Sequence, residues 1–272
     1  RGGGGSGNEP WGIVHRHGPS AMGVAALANG VNDRTMEVGV CKTVAAIAGG
    51  YLLLCFIAPA MMPEGSVPEL SGRANAMDYA TEGSWGNHDH GEDSSVGHDQ
   101  SAHGGTFAWT ELNPVWAFVY GFGDLNCHQK HERSWEINGN QMPVCTRDVG
   151  IFLGLFAGAL LFGWRGLNRW TIRDSFLSVF PDHALESIYL ADRRMFAMLV
   201  VIGIGLGPMA VDGFTQMLTD YESNNPLRIL TGIAAGAVMG WWFCSALCAR
   251  TKYFDDDAAS VLLPANARLI MK

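Results

Sequence analysis

The residues whose types and spacing best suit chemistry lie in one polar segment of the chain. Cys127, His128 and Cys145 supply two thiols and an imidazole, and His131 or Glu132 supplies a further donor. Zinc prefers thiolate and imidazole ligands and is held by three or four of them. The segment therefore predicts a site for Zn²⁺ or another divalent transition metal, although its spacing differs from that of a standard zinc finger.

Two other roles for the same cysteines stay open. A disulfide between Cys127 and Cys145 would be typical of an oxidising external face and would pin the segment. Alternatively, Cys145 is a reactive thiol. The hydrophobic stretch after it is expected to be a helix with Asp148 as its N-cap, and the start of a helix lowers the pKa of a nearby thiol.

A second polar group involves the third and fourth of the chain's four long hydrophobic stretches, residues 195–211 and 227–248. Asp212 and Gln216 follow a proline at the end of the third, and Arg228 and Arg147 lie near the beginnings of two others. An ionised side chain at the membrane boundary is costly unless it has a partner. These four residues are predicted either as a structural ion-pair cluster or as a catalytic group, in which Asp212 is a base or ligand and the arginines hold an anion.

Histidines also occur in a glycine- and serine-rich loop. Residues 63–111 contain nine acidic residues and one arginine, and this composition predicts a solvated, mobile loop. Imidazole binds zinc, copper and nickel ions, so weak metal capture is one alternative and docking to a partner is another. The candidate ligands there are His88, His90, His98 and His103.

The elements that must position these residues are membrane-spanning helices. Hydrophobic residues make up 48% of the 272 residues and charged residues 16%, with a net charge of −8. This composition excludes a nucleic-acid binder that relies on bulk positive charge and an ordinary disordered chain. Four stretches are apolar and long enough to span a bilayer, namely residues 43–62, 149–164, 195–211 and 227–248. A fifth, residues 107–125, is interrupted by polar residues and rich in aromatic ones, which favours a short interfacial or re-entrant helix.

Glycine spacing predicts which of these helices pack closely. Glycines recur at every fourth position in the second and fourth stretches, at Gly150, Gly154 and Gly158 and at Gly232, Gly236 and Gly240. Small residues with this spacing let two helix backbones approach in lipid. The second and fourth spans are therefore predicted to cross at close range, and Gly203 with Gly207 predicts a shorter contact of the third.

Charge bias predicts the orientation in the cell membrane. Lys and Arg number 13 in residues 1–42, 165–194 and 249–272, against four in residues 63–148 and 213–226. Under the positive-inside rule both termini are cytoplasmic, and the candidate site residues face the outside. The predicted organisation is an N-terminal cytoplasmic segment, a first span, an acidic His-rich external loop, a membrane domain and a cytoplasmic tail, at residues 1–42, 43–62, 63–111, 112–248 and 249–272 respectively.

An ordered set of motifs resembles a known family. CHQ, ERS, PVCTRD, PMAVDGFTQ and ESNNPLRILTG follow one another as in the DUF2085 family of prokaryotic integral membrane proteins. The resemblance covers about Asn113 to Cys248 and matches Cys127, His128, Cys145 and Arg147. The family's second motif commonly reads Cys-x-Arg-Cys-x-Gly, and here Asp148 stands at the position of its second cysteine. The resemblance implies a shared fold and site but no reaction.

The sequence thus predicts an all-α polytopic membrane protein with four transmembrane helices and one short interfacial or re-entrant helix. Two functions compete. The first is an external Cys/His/Asp/Arg site that binds a metal or a polar headgroup. The second is an accessory subunit, surrounded by membrane lipids and bound to partner subunits of a larger complex. The chain carries no nucleotide-binding loop, serine-nucleophile elbow or HExxH motif, so no enzymatic reaction is assigned.

Overall fold

The computed structural model describes residues 11–15, 33–72, 77–88, 100–254 and 256–271. Within these residues it contains seven α-helices and two short antiparallel strand pairs. The predicted all-α class is therefore confirmed. The helices are α1 (Thr35–Met61), α2 (Pro114–Asn126), α3 (Thr146–Arg165), α4 (Ile172–Leu177), α5 (Asp182–Leu190), α6 (Arg194–Leu218) and α7 (Asn225–Cys248). The strands are β1 (Trp11–His15), β2 (Glu136–Ile137), β3 (Asn140–Gln141) and β4 (Ala267–Met271).

Four of these helices, α1, α3, α6 and α7, are long and apolar enough to cross a membrane. They contain 27, 20, 25 and 24 residues, and their most apolar windows have mean hydropathies of 2.1, 1.4, 1.9 and 1.5. At about 1.5 Å per residue even the shortest reaches the roughly 30 Å of a hydrocarbon core. Each begins earlier than predicted, and α6 continues past Pro208 to Leu218. Asp212 therefore lies inside a helix, because a proline is tolerated in a membrane helix when the freed backbone groups find other partners.

The fifth apolar stretch forms the short helix α2. Its 13 residues rise about 20 Å, too little to cross a bilayer. It begins at Pro114, and the side chain of Asn113 accepts hydrogen bonds from the first free backbone N–H groups. The exposed apolar residues recur at helical spacing, at Val115, Phe118, Phe122 and Leu125.

Glycines bring the backbones of α3 and α7 together, as the spacing predicts. A Cβ atom placed on Gly236 would lie closer than 3.0 Å to the backbone of Ile151, and one on Gly158 equally close to Ala237. The same crowding against the opposite helix holds for Gly150, Gly232 and Gly240. Only glycine fits at these positions, so the close crossing of the second and fourth spans is confirmed.

The corresponding prediction for the third span is wrong. Among the residues that the structure describes, none would lie within 4 Å of a Cβ atom on Gly203 or Gly207. Four-residue spacing places two glycines on one face of a helix, but it does not determine what that face meets.

The chain divides into two compact units. Unit 1 comprises residues 1–46, 155–207 and 237–272, and unit 2 comprises residues 47–154 and 208–236. In unit 1, β1 pairs with β4 so that Gly12 lies opposite Ile270 and Val14 opposite Arg268. The connector between the second and third spans contains α4 and α5.

A buried ion pair organises part of unit 1. Asp174 and Arg194 are 0% and 1% exposed, and the guanidinium Nη1 lies 2.9 Å from Asp174 Oδ2. The hydroxyl groups of Tyr189 and Thr171 donate to the same carboxylate at 2.7 and 2.6 Å. These donors replace the hydrogen bonds that the Asp174 carboxylate would make to water, and a buried charge requires such partners.

In unit 2 the described parts of the acidic loop are folded, so the expectation of a solvated loop is wrong for them. Leu70 and Tyr79 are fully buried. The amide side chain of Gln141 accepts from Leu70 N at 2.7 Å, and the carboxylate of Asp124 accepts from Tyr79 N at 3.0 Å. Buried polar side chains supply the hydrogen bonds that a loop of this composition cannot make by itself.

Candidate functional site

Two cysteines and an aspartate converge in unit 2. The donor atoms of Cys127, Cys145 and Asp148 all lie within 4.8 Å of one another. The backbone N–H of Cys145 donates to Cys127 Sγ at 3.1 Å, and the Cys145 thiol donates to Asp148 Oδ2 at 3.1 Å. We call these three residues the Cys–Cys–Asp group.

Local structure explains how the group forms. Cys127 ends α2, where its backbone N–H donates to Gly123 O at 2.8 Å. A Cβ atom on Gly123 would overlap the Pro143 carbonyl, so this glycine lets the end of α2 lie against residue 143. The buried side chain of Gln129 donates to Pro143 O at 3.1 Å and holds the two segments together. Two residues later the chain reaches Cys145.

Cys145 and Asp148 lie at the start of α3. The helix begins at Thr146, so Asp148 is in its first turn. The prediction that Asp148 is the N-cap is therefore wrong, because the helix begins three residues earlier than that role requires. From the first turn its carboxylate reaches back to the Cys145 thiol.

The surroundings of Cys127 disfavour its ionised form. Cys127 is 2% exposed. The adjacent thiol of Cys145, followed by burial and by the negative charge of Asp148, raises the pKa of Cys127 well above its usual range. Without a cation the group therefore retains the Cys127 proton at neutral pH. A divalent cation would reverse this preference, because it stabilises the thiolate.

The second predicted group also forms in unit 2, as a chain of hydrogen bonds. Asp212 Oδ2 pairs with Arg147 Nη2 and accepts from Gln216 Nε2 at 3.0 Å. The Oε1 atom of the same glutamine accepts from Arg228 Nη2. The Tyr221 hydroxyl donates to Asp212 Oδ1 at 3.4 Å. All four predicted residues thus meet, and Asp212 is held as a paired carboxylate.

The part of the chain that carries the two polar groups is similar to other proteins. Residues 127–242 match the family model described as predicted membrane protein (DUF2085). An uncharacterized protein of Methanothermobacter thermautotrophicus is 36% identical over 110 residues, which cover 40% of this chain and 77% of that protein. An uncharacterized protein of Methanocaldococcus jannaschii is 31% identical over 130 residues, covering 46% of this chain and 69% of that protein. The chain belongs to the DUF2085 family. No solved structure matches it.

The DUF2085 match begins at Cys127 and includes every member of both polar groups. The DUF2085 match covers fewer residues than the motif resemblance, which extends from about Asn113 to Cys248. Both polar groups therefore lie within the DUF2085 match, and the folded loop before α2 precedes it.

Other predicted metal ligands lie elsewhere. His128 is exposed and is not part of the Cys–Cys–Asp group. The Nε2 atom of His131 lies 3.5 Å from a carboxylate oxygen of Glu69, and the His131 ring lies beside that of His103. The ring of His88 contacts Gly83 O at 3.3 Å. His90 and His98 lie outside the described residues.

The cysteines are free thiols in the structure. The disulfide between Cys127 and Cys145 therefore stays a prediction, and their proximity is common to both the disulfide and the metal alternatives. Sequence reasoning did not include Asp148 among the metal ligands. The signal was available, because Asp148 occupies the position of a family cysteine and a carboxylate also binds zinc.

Proposed function

We propose that this DUF2085 protein binds a divalent transition metal ion, Zn²⁺ or one of similar chemistry, through Cys127, Cys145 and Asp148. One observation carries the proposal, namely that two thiols and a carboxylate converge within 4.8 Å in a partly buried setting. Three protein ligands with a fourth position open is the pattern of catalytic zinc sites, whereas structural sites are closed by four.

The distances suit a metal ion after a small adjustment. With Zn–S bonds of about 2.3 Å and tetrahedral angles, two zinc-bound sulfur atoms lie about 3.8 Å apart. The donor atoms of the group are separated by no more than 4.8 Å. Side-chain movements of less than about 1 Å therefore suffice to bring the donor atoms to bonding distance around one ion.

The adjacent arginines support an anionic group at the fourth position. Arg228 lies within electrostatic range of Arg147, Arg133 and Cys145. Within the described residues, Arg147 Nε, Arg133 Nε and Ser223 Oγ are buried and have no hydrogen-bond partner. Such donors suit an oxyanion, including a lipid phosphate. Asp212 pairs with Arg147 and acts as a positioning residue that fixes this guanidinium.

The proposed site faces the outside of the cell, which rests on the Lys and Arg bias of the segments that flank the four spans. Cysteine labelling of intact cells tests this placement. A reagent that cannot cross membranes should label a cysteine introduced at exposed residue 128 and not one introduced at residue 183. The opposite pattern would reverse the orientation.

Elemental analysis of the purified full-length protein tests the metal. We expect the native protein to contain about one zinc ion per chain more than Cys127→Ser. Cys248→Ala is the matched control, because it removes one buried thiol outside the site and should keep the ion. A metal-free native protein whose mass shows a Cys127–Cys145 disulfide would overturn the proposal.

One observation favours the accessory-subunit alternative. The most apolar window of α6 is only 11% buried, against 33–50% for the other three spanning helices. The faces of α6 that the chain leaves open contact lipid or a partner helix. Mass analysis of gently solubilised membranes separates these cases, because a partner subunit would copurify at fixed stoichiometry and a chain that runs alone would exclude this function.

A further inference from the structure

Three segments of unit 2 that are distant in the sequence meet at His131. The first carries Glu69 in the loop after α1, the second carries His103 in a short 3₁₀ turn, and the third carries His131 itself. The Nε2 atom of His131 lies 3.5 Å from Glu69 Oε2, and the centroids of the two imidazole rings are 6.1 Å apart. Two imidazoles and a carboxylate are a ligand set typical of zinc and other divalent transition metals.

One of the two separations fits ligands of one metal ion, and the other requires a side-chain movement. For bonds of about 2.1 Å and tetrahedral angles, a zinc-bound nitrogen and oxygen lie about 3.4 Å apart. The observed 3.5 Å matches this value and is longer than a good hydrogen bond. The centroids of two zinc-bound imidazoles lie about 5 Å apart under the same assumptions, so the observed 6.1 Å requires the His103 side chain to move toward His131. The three donor atoms do not converge within 4.8 Å before this movement, unlike those of the Cys–Cys–Asp group.

Hydrogen bonds hold the three segments in place without the help of a metal. The side chain of Gln100 is 1% exposed, accepts from Ser71 N at 2.9 Å and donates to Glu69 O at 2.8 Å. The backbone N–H of His131 donates to Leu70 O at 2.9 Å. The backbone next to Glu69 is therefore fixed on one side to the turn that carries His103 and on the other to His131. Such preorganisation lowers the cost of binding.

We propose that Glu69, His103 and His131 form a second divalent transition-metal site, distinct from the Cys–Cys–Asp group. No donor is shared between the two sites. Glu69 and His103 also precede residue 127, so this site is a feature of the present chain beyond the matched region. The side chains of His131 and Glu69 are 31% and 45% exposed, so the site exchanges its ion with the solvent. A bound ion would link three segments that are distant in the sequence, and it would stabilise the folded loop.

Zinc titration of the full-length protein, purified without a histidine tag and stripped of metal, tests this proposal. The titrations use the background Cys127→Ser/Cys145→Ser, which removes the Cys–Cys–Asp group. Zinc binding in this background therefore tests the second site independently of the first. In this background we expect one zinc-binding step by calorimetry. Adding His103→Ala and His131→Ala should weaken it more than tenfold, because changes even in the groups that orient metal ligands weaken binding by about 10–100-fold.

Controls distinguish a specific site from general histidine binding. His88→Ala with His183→Ala removes the same number of imidazoles and should leave the zinc affinity unchanged. Glu69→Gln keeps the size of the side chain and should weaken binding on its own. Equal zinc affinity with and without His103 and His131, or equal losses in both double-histidine variants, would overturn the proposal. Unchanged thermal unfolding of the metal-free variants verifies that they are folded.

Discussion

The ion pair between Arg147 and Asp212 should be strongly coupled. The side chains are 20% and 4% exposed, so replacing Arg147 by Met leaves a nearly buried carboxylate without its cation. Breaking a buried pair costs about 3–5 kcal/mol. Two neutral donors, Gln216 and Tyr221, stay with the carboxylate, and each offsets about 1 kcal/mol of this cost. We therefore expect Arg147→Met to lower the free energy of unfolding by about 1–3 kcal/mol.

A double-mutant cycle in detergent micelles measures this coupling. Asp212→Asn removes the charge that Arg147 neutralises, and in the double variant most of the cost of Arg147→Met should disappear. Unfolding followed by tryptophan fluorescence should give a coupling energy of about 2 kcal/mol. The pair Arg133–Glu222 is the control. Its side chains are 29% and 63% exposed, and exposed pairs couple by about 1 kcal/mol or less. Additive costs at Arg147 and Asp212, within about 0.5 kcal/mol, would refute the buried-pair account.

Three further predictions concern the metal ligands and the helix crossing. Asp148→Cys installs the cysteine that the family motif commonly carries and should retain one zinc per chain, whereas Asp148→Ala should lose it; equal zinc content would exclude Asp148 as a ligand. Because Cys145 and burial raise the pKa of Cys127, zinc must displace its proton, so zinc affinity should rise with pH between about pH 6 and 8. Calorimetry in two buffers counts the released protons, and a count of zero would contradict this mechanism. Gly236→Val should destabilise the protein by about 1–3 kcal/mol through overlap with the opposite helix, whereas Gly203→Val should have little effect. Similar unfolding temperatures for the two variants would argue against the α3–α7 crossing.

Hydropathy was enough to predict the four spans because a helix in lipid needs a long apolar segment, and four helices among the described residues provide one. The ends were less accurate. Thr35 and Leu218 belong to helices that extend beyond their apolar stretches, since a helix continues into the polar headgroup layer wherever its end is otherwise stabilised. Residues near helix ends share a depth, which is why Asp212, Arg147 and Arg228 were grouped correctly.

Amino-acid composition could not predict the contacts between loop segments. Nothing in the residues around Gln100 or Glu69 distinguishes a buried amide or a positioned carboxylate from ordinary loop residues. Their roles come from hydrogen bonds to segments about 30 residues away or more. For the same reason His131 was grouped with its neighbour in sequence, Cys127, whereas in the structure its ring lies beside His103.

The pairing of β1 with β4 restricts the number of times that the chain can cross the membrane. Adjacent strands lie about 4.8 Å apart, whereas the hydrocarbon core is roughly 30 Å thick, so residues 11–15 and 267–271 must reside in the same aqueous compartment. The polypeptide between them therefore traverses the bilayer an even number of times. Four traverses satisfy this condition and a fifth through α2 would violate it, independently of any charge count.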